Sequence, residues 1–270
     1  MIREDEIKKA QRYAEKVLDE QVKAEPGIKR IIQKHLSEII RISMSYKGHP
    51  ERFRFSEDEA INGKVNEAIR ALNDALYQAI EKESLIVKKI AEDREDNMID
   101  DVLIIGFLSS LIGEKTLKQR IHLYTMQLKT EMEAFIAAGM AIKLSLDGIL
   151  REWQANKKAP YGSTLIKEAI KKGGFAATRI KTKGIHYGTG RYIGAFENIR
   201  RLYITTIQEA YNKSLEEIFK KKGFVGWFTV RGSNYPCPIC ESMAFVIHNP
   251  DENFIAYHPF CMCLYIPIYN

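Results

Sequence analysis

The chain has 270 residues, 45% of them hydrophobic and 28% charged, with a net charge of +6. That balance describes a folded globular protein rather than a disordered one, and the length allows one large domain or two smaller ones. The longest apolar run, Val102 to Leu108, is too short to span a bilayer, and Met1-Ile2-Arg3-Glu4 opens into an amphipathic pattern rather than a secretory leader.

Four helical blocks are predicted first. Ile7, Ala10, Tyr13, Ala14, Val17 and Leu18 recur at helical spacing, and the pattern is expected to stop near Pro26-Gly27, because proline removes a donor and clashes with the preceding turn. A second helix is expected over Ile28 to Tyr46, then a turn at Lys47-Gly48-His49-Pro50. A long third helix runs from about Ser56 to Asp93, with Ser56 as N-cap and Glu59 completing a capping box. The fourth block, Ile99 to Trp153, is expected to break near Gly113. His35 and His122 fall within helices and read as packing or surface residues. Trp153 and Trp227 read as core anchors.

The next stretch differs in charge. Between Lys157 and Arg191 there are nine Lys or Arg against one acid, Glu168, which leaves +8 there and −2 in the rest of the chain. A short helix is expected over Ser163 to Lys172, and Gly173 to Gly190 reads as a flexible loop or arm. Lys157, Lys158, Lys171, Lys172, Arg179, Lys181, Lys183 and Arg191 are its candidates for contact with nucleic-acid phosphates or an acidic protein surface. A strong helix follows from Ile193 to Lys222, with a stripe of Phe196, Ile199, Tyr203, Ile207, Tyr211, Leu215 and Ile218. Lys220-Lys221-Lys222 suits its C-terminal dipole and Gly223 its C′ position. Period-two patterning then predicts strands at Gly226 to Arg231 and Leu264 to Ile268, the latter an edge strand because Pro267 cannot donate to a ladder.

All four cysteines lie in the last 34 residues, as Cys237-Pro-Ile-Cys240 and Cys261-Met-Cys263, with His258 between the pairs. A C-x2-C hook followed by H-x2-C-x-C is the spacing of one metal site built from two hairpin-like hooks. Thiolates and imidazole suit zinc, which takes four ligands in a tetrahedron. Cys237, Cys240, His258 and Cys261 form the favoured set, with Cys263 a substitute ligand or a buried thiol. Core thiols and disulfides are the alternatives.

Enzymatic readings of the hook are weaker. A zinc deaminase needs an upstream H-x-E, but the nearest upstream histidine, His186, is followed by Tyr187 and Gly188. A nuclease could draw on His248, Asn249 and Asn253, although His248-Asn249-Pro250-Asp251 reads better as a turn. A nucleic-acid-binding finger is disfavoured, because no Lys or Arg follows Arg231 and phosphate contacts need them. The aromatic residues there suit a small core and a protein partner.

The string Thr205-Thr206-Ile207-Gln208-Glu209-Ala210-Tyr211-Asn212, then Gly223-Phe224-Val225-Gly226-Trp227, then C-x2-C and His258-Pro259-x-Cys261-x-Cys263, resembles the phage Mu F-like minor head proteins, also called phage head morphogenesis proteins. The resemblance is specific over residues 193–265 and only general in the helical N-terminal half. It departs from the family at Met262, where an arginine is usual, at Ala244-Phe245, where a glycine is frequent, and at Ile204-Thr205-Thr206 in place of Arg-Thr-Glu. The resemblance implies a non-enzymatic structural component of a tailed phage or prophage, made in the host cytoplasm and carried in the virion. It implies portal or capsid proteins as partners, with packaged DNA a further candidate for the 157–191 arm. The expected fold is mainly α with a small C-terminal α+β module. It divides into a helical body over 1–155, a basic arm over 156–192 and a Mu F-like module over 193–270 that carries a structural zinc.

Overall fold

The computed structural model describes every residue except 1–3, 113, 184–185, 188–190, 233–235, 255 and 259–260, and leaves aside the side chains of 51, 181–183, 186–187 and 191. It is 71% helical, with a small two-stranded sheet in its C-terminal part. The helices are α1 (Glu4–Ser43), α2 (Glu59–Glu95), α3 (Asp101–Ser109), α4 (Leu117–Ala141), α5 (Leu146–Asn156), α6 (Thr164–Lys171), α7 (Phe175–Lys183), α8 (Ala195–Lys221) and α9 (Pro238–Met243). The strands are β1 (His186–Tyr187), β2 (Arg191–Tyr192), β3 (Gly226–Val230) and β4 (Leu264–Ile268). No helix among the described residues is long and apolar enough to cross a membrane.

The two helices expected over the first 46 residues are one. Helix α1 runs through Pro26 without interruption. An interior proline costs about 3 kcal/mol. Ala10, Tyr13 and Val17 before it, and Ile28, Ile32, Leu36 and Ile39 after it, are all buried, and each large apolar side chain returns about 1.5–3 kcal/mol. The burial outweighs the break. The start of α2 also moves. Residues Phe55–Glu57 form a 3-10 turn that buries Phe55, whose N–H donates to Glu133 Oε2 at 2.8 Å. Asp58 then becomes the cap, accepting from the Ile61 N–H at 3.0 Å, and Ser56 lies outside the helix. The fourth block is three helices. Asp100 caps α3 through the Val102 N–H, and Ser145 caps α5 through the Gly148 N–H.

The arm is folded where it is described. Helix α6 lies within the stretch expected over Ser163 to Lys172, with Ser163 as its N-cap, but helix α7 replaces half of the expected loop, burying Ala176, Ala177 and Ile180. Strands β1 and β2 pair antiparallel, with His186 opposite Tyr192 and Tyr187 opposite Arg191.

The chain forms two compact units that do not follow the three expected segments. One comprises 1–26, 78–117 and 201–270, and the other 27–77 and 118–200. Their boundaries fall inside α1, α2 and α8 and at the first residue of α4.

The second unit buries Trp153, with Phe196 edge-on to it at 6.2 Å. Its interior also holds the carboxylate of Glu131, which accepts from Tyr192 Oη at 2.5 Å and from the Ala195 N–H at 2.8 Å. The Ala195 contact satisfies a donor at the first turn of α8.

Helix α8 buries its expected stripe, Phe196 and Ile199 in the second unit and Tyr203, Ile207, Tyr211, Leu215 and Ile218 in the first, and ends at Gly223, whose φ of +70° closes the helix. It also buries Thr206, Gln208, Asn212, Ser214 and Glu216, so it is covered on more than one side. Strands β3 and β4 pair antiparallel from Gly226 opposite Ile268 to Val230 opposite Leu264. Alternation gives the sheet two faces. Phe228, Leu264 and Ile266 pack with Ala10 of α1. On the other face, Trp227 lies edge-on to Tyr265 at 4.9 Å and Phe254 at 5.3 Å, and stacks on His248 at 4.0 Å. Pro267 lies opposite Trp227, whose own N–H and C=O are paired with His248 on the other side. The register therefore asks no donor of Pro267.

Candidate metal centre

Two short segments deliver the donors. Cys237 is the N-cap of α9, its Sγ accepting from the Cys240 N–H at 3.5 Å, and Pro238 supplies the fixed φ that suits a first helical residue. Cys240 follows on the same turn. On the opposing segment the Cys261 N–H donates to the His258 carbonyl at 3.0 Å, which curls His258 and Cys261 toward one another, and Cys263 sits just before β4.

Strand β3 holds both segments. Thr229 Oγ1 donates to the Met243 carbonyl at the end of α9 and lies 3.1 Å from Tyr257 Oη, beside His258. The Thr229 carbonyl accepts from the Phe245 N–H. Arg231 pairs with Glu241 at 2.7 Å. A Cβ at Gly232 would overlap the Met262 carbonyl oxygen, so only glycine lets the strand end pass this close to the Cys261–Cys263 segment.

The structure brings together all five expected ligands. His258 Nε2 is 3.1 Å from Cys237 Sγ and 3.0 Å from Cys240 Sγ, and Cys240 Sγ is 3.9 Å from Cys261 Sγ. The donors fall into two triads, Cys237–Cys240–His258 and Cys240–Cys261–Cys263, each with its ligand atoms within 4.8 Å of one another. Cys240, Cys261 and Cys263 are buried, while Cys237 and His258 are partly exposed. None of the cysteines is in a disulfide.

The protonation balance of the sulfurs is strained in a way that a cation relieves. The Cys240 N–H draws the Cys237 thiol down. Burial pushes Cys240 up to about 12. A hydrogen bond from Cys263 holds Cys261 down at about 5 and pushes Cys263 itself well up. Crowded thiols cannot all ionise unless a positive charge sits among them.

The donor set also fits geometrically. With metal–sulfur bonds of about 2.3 Å and metal–nitrogen bonds of about 2.0 Å, a tetrahedral ion spaces sulfurs about 3.8 Å apart and sulfur from nitrogen about 3.5 Å. The 3.9 Å sulfur pair already matches. The histidine contacts need to open by roughly half an ångström from their hydrogen-bond lengths. The cluster can hold a metal ion.

The other candidates separate into engaged and exposed. Arg179 pairs with buried Glu133 at 2.9 Å and faces the Phe175 ring. Lys157 donates to the Gln154 carbonyl and lies over Phe196. Both are parts of the fold. Lys158, Lys171 and Lys172 are exposed. The side chains of Lys181, Lys183 and Arg191 lie outside the described residues. His248 is stacked on Trp227, and its Nδ1 is 2.8 Å from Glu252 Oε2, a bond that lowers the Glu252 carboxyl. Asn249 also donates to Glu252, closing the expected turn. The supporting roles of Thr229 and Gly232 carried no signal in the sequence, because each depends on what lies across the strand.

No protein-family model, no curated protein and no solved structure matches this chain.

Proposed function

We propose that the chain is a structural minor head protein of a tailed phage or prophage, which joins portal or capsid proteins during head assembly and whose C-terminal module is clasped by zinc. The observation that carries the reading is the convergence of Cys237, Cys240, His258, Cys261 and Cys263 on one place, at the positions by which the C-terminal segment resembles Mu F-like proteins. The donors are soft and numerous, which suits a closed structural zinc. Zinc would supply a cross-link between the α9 hook and the segment that carries His258, Cys261 and Cys263. Thr229 and Tyr257 orient the two segments toward one another. The aromatic face around Trp227, Phe254 and Tyr265 then becomes a fixed platform.

Mass spectrometry of purified virions and procapsids from the producing strain tests the role. Recovery of the chain in particles supports it, and absence from both rejects it. Elemental analysis of protein purified under reducing conditions tests the metal, with about one zinc per chain expected for a single tetrahedral site.

A second reading rests on the exposed side chains of Lys158, Lys167, Lys171 and Lys172 around α6. Exposed lysines of this kind are suited to sequence-independent contact with packaged DNA, since such contacts position a protein on phosphates without reading bases.

A further inference from the structure

We infer that the five donors make two alternative registers for one metal ion, an outer register of Cys237, Cys240 and His258 and an inner register of Cys240, Cys261 and Cys263, with Cys240 bound in both. The inference rests on the reading of the cluster as a metal clasp and goes beyond it, because a fixed clasp needs only four donors.

Three observations carry it. Each triad is close enough by itself to hold an ion, and Cys240 is the only residue they share. The outer triad contains both partly exposed donors, Cys237 and His258, whereas the inner one is wholly buried. The 3.9 Å between Cys240 and Cys261 is close to the about 3.8 Å spacing of two sulfurs on one tetrahedral ion, so the registers are separated by a ligand exchange rather than by a rearrangement of the chain. An ion from solvent meets Cys237 and His258 first. It moves inward as Cys261 and then Cys263 replace them, pivoting on Cys240. In each exchange one metal–donor bond forms as another breaks. The incoming thiol releases its proton, a displaced thiolate takes one up, and a displaced imidazole can remain neutral. The metal keeps its oxidation state throughout.

The arrangement makes the donors unequal. Loss of Cys237 leaves the inner triad with His258 as a fourth ligand, and loss of Cys263 leaves the outer triad with Cys261. Loss of Cys240 leaves neither triad complete. The test uses the full chain, stripped of metal and reloaded with cobalt(II) under reducing conditions, as wild type and as Cys237→Ser, Cys263→Ser and Cys240→Ser. Elemental analysis gives the stoichiometry. The thiolate-to-cobalt absorption counts sulfurs, the visible d–d bands report tetrahedral geometry, and circular dichroism checks that each variant keeps its helices. Cys237→Ser and Cys263→Ser are expected each to hold about one tetrahedral cobalt with affinity within about tenfold of wild type, and Cys240→Ser to weaken binding by about 100-fold or more, the scale of losing a metal–thiolate bond against about 1.4 kcal/mol per tenfold.

A single fixed site would give a different pattern: Cys237→Ser as damaging as Cys240→Ser, with Cys263→Ser silent in both affinity and spectrum. That pattern overturns the inference while leaving a structural metal in place. Two cobalt ions per chain at saturation also overturn it, in favour of a sulfur-bridged pair. Failure of the wild type to bind any metal removes the clasp itself, and with it both readings. Should Cys240→Ser lose its helices, the two other variants still decide the question.

Discussion

Glu131→Gln should remove a loss of stability that the wild type suffers between pH 5 and pH 8, so that the stability difference between the two proteins changes sign across that range. Glu131 is fully buried, and its Oε1 accepts from Tyr192, Ala195 and Gln127. Its Oε2 is buried and has no hydrogen-bond partner among the described residues. Burial is the largest influence and pushes the carboxyl from 4.5 up to about 8, against the pull of the three donors. The folded protein therefore keeps a proton that the unfolded chain has released. Stability is fully present below about pH 4.5 and falls as the pH rises toward 8, because the native state binds more protons than the unfolded one. At about 1.4 kcal/mol per pH unit, the loss has an upper bound of about 5 kcal/mol. Glutamine cannot ionise, so it escapes this loss, but it places an unsatisfied NH2 at the Oε2 position for about 1–3 kcal/mol. Urea denaturation of both proteins at pH 5, 6, 7 and 8 isolates the effect, since every other titrating group is shared. The variant should be less stable at pH 5 and more stable at pH 8. A difference that stays constant within about 0.5 kcal/mol across that range, the scatter expected of independent sites, would refute the assignment of a buried neutral acid.

Three further outcomes are expected. Trp227→Ala removes a fully packed ring that touches His248, Phe254 and Tyr265 and donates to the Glu252 carbonyl, and should cost about 3–5 kcal/mol in chemical denaturation; a loss under about 1 kcal/mol would mean that the ring is not the anchor of this face. A strong chelator should lower the thermal midpoint of metal-loaded protein and raise protease sensitivity between residues 232 and 263, with reversal by added zinc; an unchanged midpoint and cleavage pattern would contradict a structural metal. Charge reversal of Lys158, Lys171 and Lys172 together should flatten the salt dependence of duplex DNA binding, whereas reversal of Arg179 should instead destabilise the fold by exposing the buried Glu133 it neutralises; each neutralised phosphate contributes a slope of about 0.9, and an unchanged slope in the triple variant would exclude the α6 lysines from the contact.

Much of the outline was legible along the chain. The stripe of α8, its end at Gly223, both C-terminal strands and the span of α6 were all readable, because each depends on neighbours within about one or two turns. The five donors were equally readable, since cysteine and histidine at hook spacing have few other uses. The errors share one cause. Pro26 looked like a stop, but burial on both sides of it holds α1 together. Ser56 looked like a cap, but Phe55 is drawn down to Glu133, which is 78 positions away. The glycines and lysines after residue 173 concealed the short apolar face of α7. Arg179 looked like a free cation and is committed to Glu133.

The sequence alone determined which residues could bind a metal and which local segments would be helix or strand, because those follow from side-chain chemistry and short-range periodicity. Only the tertiary structure decided that the five donors fall into two triads that share Cys240, that Glu131 is buried where its carboxyl is pushed up, and which basic residues are already engaged in the fold. Those outcomes depend on distances and burial between residues far apart in the chain, and no local pattern encodes them.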